Sequence, residues 1–99
     1  MLSKTQMAQI TQINNCWILS GDVINSTAGD ILKASKLFNI VDNTSVDFAD
    51  VEEIDTTAVS LILEWKRRAA NENKSLTFVN LPENLTSLVK LYDVAELIS

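Results

Sequence analysis

The side chains in this sequence that could do chemistry crowd into one stretch, VDFADVEEIDTTAVSLILEWKRRA, residues 46–69. Five carboxylates (Asp47, Asp50, Glu52, Glu53 and Asp55) fall within residues 47–55, and the hydroxyls of Thr56 and Thr57 follow directly. Carboxylates in such numbers could ligate a hard cation or form an acid–base pair. A calcium loop spaces its ligands differently and turns on a glycine that this stretch lacks. Paired-carboxylate hydrolysis needs an enclosed cleft, for which a chain of 99 residues leaves little room. The acidic stretch therefore reads as a solvated loop, with no metal ligands and no catalytic residues. The absence of histidine removes the usual general base, the Ser-His and Cys-His pairs and most zinc sites. Neither the P-loop motif nor GxGxxG occurs, so no phosphate-bearing cofactor is expected.

Asp55 stands where a strand pattern gives way to a helix pattern, and its carboxylate suits an N-cap worth ~1 kcal/mol. A hydroxyl in a helix's first turn lies exposed beside free N–H groups, so a phosphate on Thr56 would be stabilised locally, opposed by Asp55 and Glu53. Capping by Asp55 and a functional role for Thr56 are compatible.

These residues must be positioned by the elements around them. Residues 7–13, MAQITQI, alternate apolar and polar as a half-buried strand does, and Asn14-Asn15 suits a hairpin turn. CWILSG reads as a second strand ended by Gly21-Asp22. With Ser26 as a possible cap, TAGDILKASKLF places Ile31, Ala34, Leu37 and Phe38 on one helical face, and Asp42-Asn43 breaks that helix. TSVDFA is the third strand. In the helix beginning near Thr56, the spacing assigns Ala58, Leu61, Ile62, Trp65 and Ala69 to the core and Ser60, Glu64 and Arg68 to a solvated face. A further stripe remains, made of Thr56, Val59, Leu63, Ala70 and the stems of Lys66 and Arg67, more apolar than a surface helix needs. KSLTFVN is the fourth strand, with Leu76 and Phe78 inward. Pro82 opens a last helix that packs through Leu85, Leu88, Val89 and Tyr92, and residues 93–99 form a short tail with apolar anchors. Trp65 and Phe78 read as core, while Trp17 fits either core or an interface. Lys66-Arg67-Arg68 balances the C-terminal half of its helix, with contact to anionic lipid heads as the lesser alternative.

The element order β-β-α-β-α-β-α predicts an α/β fold: a small mixed sheet of four strands covered by about three helices, forming a single domain over residues 1–99. Hydrophobic residues make up 46% of the chain, enough for a core of its own. A net charge of -5 argues against nucleic acid as a main partner. A lone cysteine, Cys16, excludes an internal disulfide. No stretch reads as a secretory signal or a membrane span, so a cytoplasmic location is expected.

An apolar-Asp-apolar strand end (Val46-Asp47-Phe48), six residues of loop (ADVEEI) and Asp55-Thr56 opening a helix together resemble the STAS domain family, over nearly the whole chain. WILSGDV, VDFADVEEIDTTAVSLIL and LVKLYDVAELI make the sequence similar to the MlaB-like branch, the small cytosolic subunits of bacterial Mla phospholipid-transport ABC complexes. That resemblance implies a non-catalytic module docking on the transporter's ATPase at the cytoplasmic face of the inner membrane. Thr56 would be the residue read by the partner, on a surface drawn from Asp55, Thr57, Val59, Leu63, Lys66 and Arg67. The alternative it implies is an anti-sigma factor antagonist, switched by phosphorylation of Thr56 by a partner kinase. Family members often carry glycine one or two places after the hydroxyl. Thr57 and Ala58 stand there instead, and their methyl groups could limit close approach.

Overall fold

The computed structural model describes residues 8–92. Its element order is β1 (Gln9–Ile13), β2 (Cys16–Val23), α1 (Asn25–Ser35), β3 (Thr44–Ile54), α2 (Thr57–Asn71), β4 (Leu76–Val79) and α3 (Glu83–Leu91), the α/β order expected. Met7, expected in the first strand, and the tail 93–99 lie outside the described residues.

The strands form one sheet in the order β1-β2-β3-β4. The β1–β2 hairpin is antiparallel, with Ile13 opposite Cys16 across Asn14-Asn15, and β2–β3 and β3–β4 are parallel. Two parallel crossovers stepping the same way across a sheet, each of the usual hand, lay their helices on the same face. The strands bury one side only to match. Trp17, Leu19, Val46, Phe48, Leu76 and Phe78 are buried, while Cys16, Ile18, Ser45, Asp47, Thr77 and Val79 alternate with them, half-buried or exposed.

The chain has only two glycines, and asparagine supplies most of its left-handed backbone. Asn14, Asn43, Asn73 and Asn80 all have φ between 56° and 66°, conformations that asparagine tolerates better than most residues. Asn73 ends α2 in a Schellman motif: Lys74 N–H donates to Ala69 O at 2.9 Å and Asn73 N–H to Ala70 O at 3.1 Å. Gly21, at φ 80°, sits where the β2–β3 register shifts. β2 therefore does not end at Gly21-Asp22, as the composition suggested, but continues to Val23 opposite a bulge in β3, which takes three steps from Val51 to Ile54 against two on β2. The acidic stretch is likewise strand and not loop, since β3 stays paired with β2 as far as Ile54.

The first helix departs most from expectation. It starts at Asn25, so Ser26 lies inside it, and the hydroxyl at its entry belongs to Thr27, which accepts from Ile24 N–H at 3.0 Å and donates to Asp22 O at 2.7 Å. It ends at Ser35, well before Asp42-Asn43. Leu37 falls beyond the end and is 85% exposed, whereas Phe38 folds back edge-on to Trp17 at 5.3 Å.

Trp17 is fully buried on an inner strand, so it belongs to the core and not to an interface. Trp65 of α2 meets it edge-on at 5.9 Å and stacks on Phe78 at 6.5 Å. The five residues assigned to the core face of α2 are all buried. Arg68, expected on the solvated face, is not there. Its guanidinium donates to Ser35 O at 2.9 Å and to Phe38 O, and lies 5.8 Å from the Trp17 ring. It places a cation on the negative end of α1.

Between these groups, Trp65 Nε1 donates to the buried Ser35 hydroxyl at 2.9 Å, which donates onward to Leu32 O at 2.8 Å. Ser35→Ala leaves the indole N–H buried without an acceptor and is expected to cost about 1–3 kcal/mol in urea unfolding. In a Trp65→Phe background, which removes the donor, the same substitution should cost clearly less. Equal costs in both backgrounds would show that the hydrogen bond contributes nothing.

Candidate functional site

β2 and β3 run parallel and finish level, with Val23 opposite Ile54 and Asp55 N–H donating to Val23 O at 3.3 Å. Each strand then enters a helix, so the first turns of α1 and α2 open side by side. Asp55 bridges them. Its Oδ2 accepts from Asn25 N–H at 2.9 Å, and its Oδ1 accepts from Thr57 N–H at 2.9 Å and from the Thr57 hydroxyl. Partial burial pushes this carboxyl up, but the hydrogen bonds from Thr57 side chain, Thr57 backbone and Asn25 backbone together outweigh it. The carboxyl is left below its ordinary value of 3.8.

Thr56, flanking the helix and already in αR conformation, makes no cap bond with its own side chain. The side-chain cap comes from Asp55, one residue earlier, as the sequence suggested. The adjacent hydroxyls have separate fates. Thr57 is half-buried and held by Asp55, while Thr56 is exposed, with no hydrogen bond from its hydroxyl to any described residue.

Beside Thr56 lies an open groove of about 420 Å³ lined by Thr56, Thr57, Val59, Ser60, Leu63 and Tyr92. A second depression, of about 480 Å³, continues along α2 between Leu63, Lys66, Arg67 and Ala70. Leu63 is common to both, so the extra stripe of the sequence is one continuous surface. Val59 is its floor more than its rim, being only 6% exposed and part of the core. Lys66 sets its ammonium over the Phe78 ring, 5.9 Å from the centroid, and donates to Leu76 O at 2.9 Å, and Arg67 pairs with Glu64 on the outside. The structure thus brings together six of the seven residues singled out for this surface; Asp55 lines neither depression and sits between the two helix entries instead.

Two lining residues were not anticipated on this stripe: Ser60 was assigned to the solvated face instead, and Tyr92 to the packed side of the last helix. Ser60 lies four residues after Thr56, hence on the same helical side, and that spacing could have identified it. Tyr92, 52% exposed, was expected to pack in the core; no local signal reveals where the end of α3 meets α2. Among the described residues no three His, Cys, Asp or Glu side chains group as metal ligands. Asp47 is instead engaged with Ala49 N–H and the Asn80 amide, each at 2.9 Å. No helix of the described residues is long and apolar enough to cross a membrane. What the arrangement offers is a shaped apolar face with the exposed Thr56 hydroxyl at its end.

Asp55→Ala removes acceptors from both helix entries and is expected to cost about 1–2 kcal/mol at neutral pH. Because the folded carboxyl titrates below its ordinary value, its stabilisation is complete above that value and is lost as pH falls through the lower, folded one. Wild type and Asp55→Ala should therefore differ in stability at neutral pH and converge below about pH 3.8 in thermal unfolding. A difference that persists undiminished into acid would mean the carboxylate charge is not what holds the two turns.

The family profile described as "Mlab, STAS domain" matches residues 18–99, from within β2 to the end of the sequence. No curated protein matches the chain. The profile spans most of the sequence, including both helix entries and the whole α2 face, and the fold agrees with it: the chain belongs to the MlaB-like STAS domain family.

Proposed function

We propose that this chain is a non-catalytic binding module, one STAS domain throughout, that docks through α2 on the ATPase subunit of a bacterial Mla-type phospholipid ABC transporter. STAS domains act in protein–protein interactions, and the family match is of the MlaB-like kind. The observation that carries the reading is the pairing of an exposed, unbonded Thr56 hydroxyl with a continuous apolar face along α2. A face of that shape supplies binding energy through its apolar centre, and a polar group at its edge supplies registry. Thr56 contributes as a contact and needs no chemistry, and the module works without a cofactor. Its place is the cytoplasmic side of the inner membrane, held there by its partner.

A second reading rests on the same hydroxyl. Being free and in a first helical turn, Thr56 is open to phosphorylation, which would add a charge of about -1.5 to -2 and expel a partner kinase from this face. That is the switch of an anti-sigma factor antagonist. The bound Asp55 carboxylate directly beneath it weighs against an added phosphate.

Affinity purification from native cells, with wild type and Leu63→Glu compared by mass spectrometry, separates the two. Leu63 is only partly buried, so the variant should stay folded, at a cost of about 1 kcal/mol. The ATPase and its membrane partners are expected with wild type, and to be depleted at least ~10-fold by a carboxylate placed in the apolar centre. Recovery of a kinase-like anti-sigma factor, with phosphate on Thr56, would overturn the transporter reading and establish the switch.

A further inference from the structure

The two edges of the sheet are treated differently. β4 is only four residues long, and one of its outer carbonyls is occupied. Thr44 N–H donates to Ser75 O at 3.1 Å, so the next carbonyl, that of Leu76, turns away from β3, and the Lys66 amine takes it at 2.9 Å. Short strands and edge lysines are common means of keeping an edge from pairing. β1 has none of these protections. Residues 5–21 contain no charged side chain and no proline, and the β1–β2 register runs without a bulge from Gln9 opposite Ser20 to Ile13 opposite Cys16. A two-residue hairpin closes on a hydrogen-bonded pair, so Ile13, Thr11 and Gln9 bond to β2. Ser45 N–H donates to Asn15 O, which fixes the same alternation from the other side of β2. Ile10 and Gln12 therefore direct their N–H and C=O groups outward, and β2 is the single strand neighbour of β1. Beside this edge an open groove of about 490 Å³ runs between residues 8–11 and α1, where Asp30, Ile31 and Ala34 line it.

We propose that β1 pairs with β1 of a second copy of this chain, antiparallel and centred on Ile10, joining two four-stranded sheets into one. The inference stands apart from the docking role of α2, since β1 is at the edge opposite β4, against which α2 packs. About this centre Ile10 lies opposite Ile10 and Ala8 opposite Gln12, so the outward groups of both strands meet as hydrogen-bonded pairs. The centre is also that of the groove, which borders residues 8–11 and stops short of Asn14, where a φ of 56° turns the chain into the hairpin. Ala8 is small enough to leave the Gln12 amide its bond to Asn39 O at 2.9 Å. Paired residues share a sheet face, so Ile10 of each copy enters on the groove side of the other, toward Ile31 and Ala34. α1 packs over β1 and β2 and runs the same way as β1, so the two-fold axis sets the two α1 helices antiparallel as well. Asp30 of each copy then lies toward the end of the other helix, which carries Lys33 and Lys36. Two copies of a chain of net charge -5 repel each other, and the charge-free strand is where they meet without like charges in contact. β1 carries no charge by which to select a foreign strand, whereas the two-fold register is satisfied by this chain alone.

The seam is short, so the dimer should be weak, with a Kd of about 10–100 µM, and sedimentation velocity from about 5 to 500 µM should show the full chain passing from monomer to dimer. Ile10→Pro removes an outward N–H without touching the β1–β2 ladder, and Gln9→Lys with Thr11→Lys sets cations of both copies side by side on the exposed face of the seam. Each change should raise Kd at least ~10-fold, with urea unfolding checking that the lysine variant keeps its fold, and Leu63→Glu should leave Kd unchanged. The register has its own readout. In a Cys16→Ser background, Gln9→Cys and Thr11→Cys chains should form a disulfide when mixed and none when alone. Position 9 of one copy lies directly opposite position 11 of the other, at the Cα spacing of about 4.5 Å that a disulfide accepts. A chain that stays monomeric at the highest concentration overturns the proposal. So does a dimer that the lysines leave intact, which places the contact on another face. A Thr11→Cys chain that cross-links to itself moves the axis away from Ile10 and overturns it as well.

Discussion

The arrangement depends on a constraint set by parallel pairing. β2 and β3 run the same way, end level and feed helices on the same face, so two positive helix termini are forced together at the end of the sheet. Their first N–H groups have no partners within their own helices and cannot be left dry. A single carboxylate resolves this. Asp55 is the first residue after β3 and directs one oxygen to each helix entry, so one side chain ties the starts of α1 and α2 together, with Thr27 completing the α1 entry. The direction of α2, and with it the direction of its outer stripe, follows from that placement.

The other end of the same helix pair is closed by different chemistry for the same reason. The last carbonyls of α1 are negative and would otherwise point into a partly buried space. Arg68 reaches across from α2 to Ser35 O and Phe38 O, and its flat guanidinium also covers Trp17. Trp65, one turn earlier, donates to the Ser35 hydroxyl. Of the two buried indoles, that of Trp65 has an acceptor for its N–H, while the Trp17 N–H has none among the described residues and only its ring meets a polar group, the Arg68 guanidinium. These polar contacts gather at the α1–α2 junction, on the side of α2 away from the groove. Of the groove face, the side chains of Thr57, Lys66 and Arg67 are tied down by hydrogen bonds or an ion pair, while those of Thr56, Val59, Ser60 and Leu63 are not.

Those two devices mark how far the sequence could be read. Element order, the core face of α2, and Leu76 and Phe78 were legible because period and apolar pattern alone determine them. The six acidic and apolar residues before Asp55 read as loop because carboxylates are poor strand formers, yet pairing with β2 overrides that preference. Gly21-Asp22 looked like a strand end because glycine commonly ends strands, whereas here it stays in β2 opposite a bulge of β3 that no local pattern reveals. α1 was read too late because its entry is fixed by Thr27 and by Asp55, the latter 30 residues away. Arg68 was misplaced because its carbonyl partners come from the last residue of α1 and the turn just beyond it, 33 and 30 residues distant. Of the candidate site, the apolar stripe was legible from the wheel. The contribution of Tyr92 was not, since it depends on how α3 meets α2.

The two threonines can now be told apart on physical grounds. Successive residues on a helix point about 100° apart, so only one of two adjacent hydroxyls can turn inward toward the capping carboxylate. Thr57 takes that position, and Thr56 is thereby turned outward at the head of the groove. Exchanging their roles would require Asp55 to reach the hydroxyl of its immediate neighbour while still serving Asn25, which the direction of its two oxygens opposes. The exposure of Thr56 is therefore a consequence of the cap and not an accident of surface composition. The Thr56 hydroxyl is thus presented by the same carboxylate that holds the helices together.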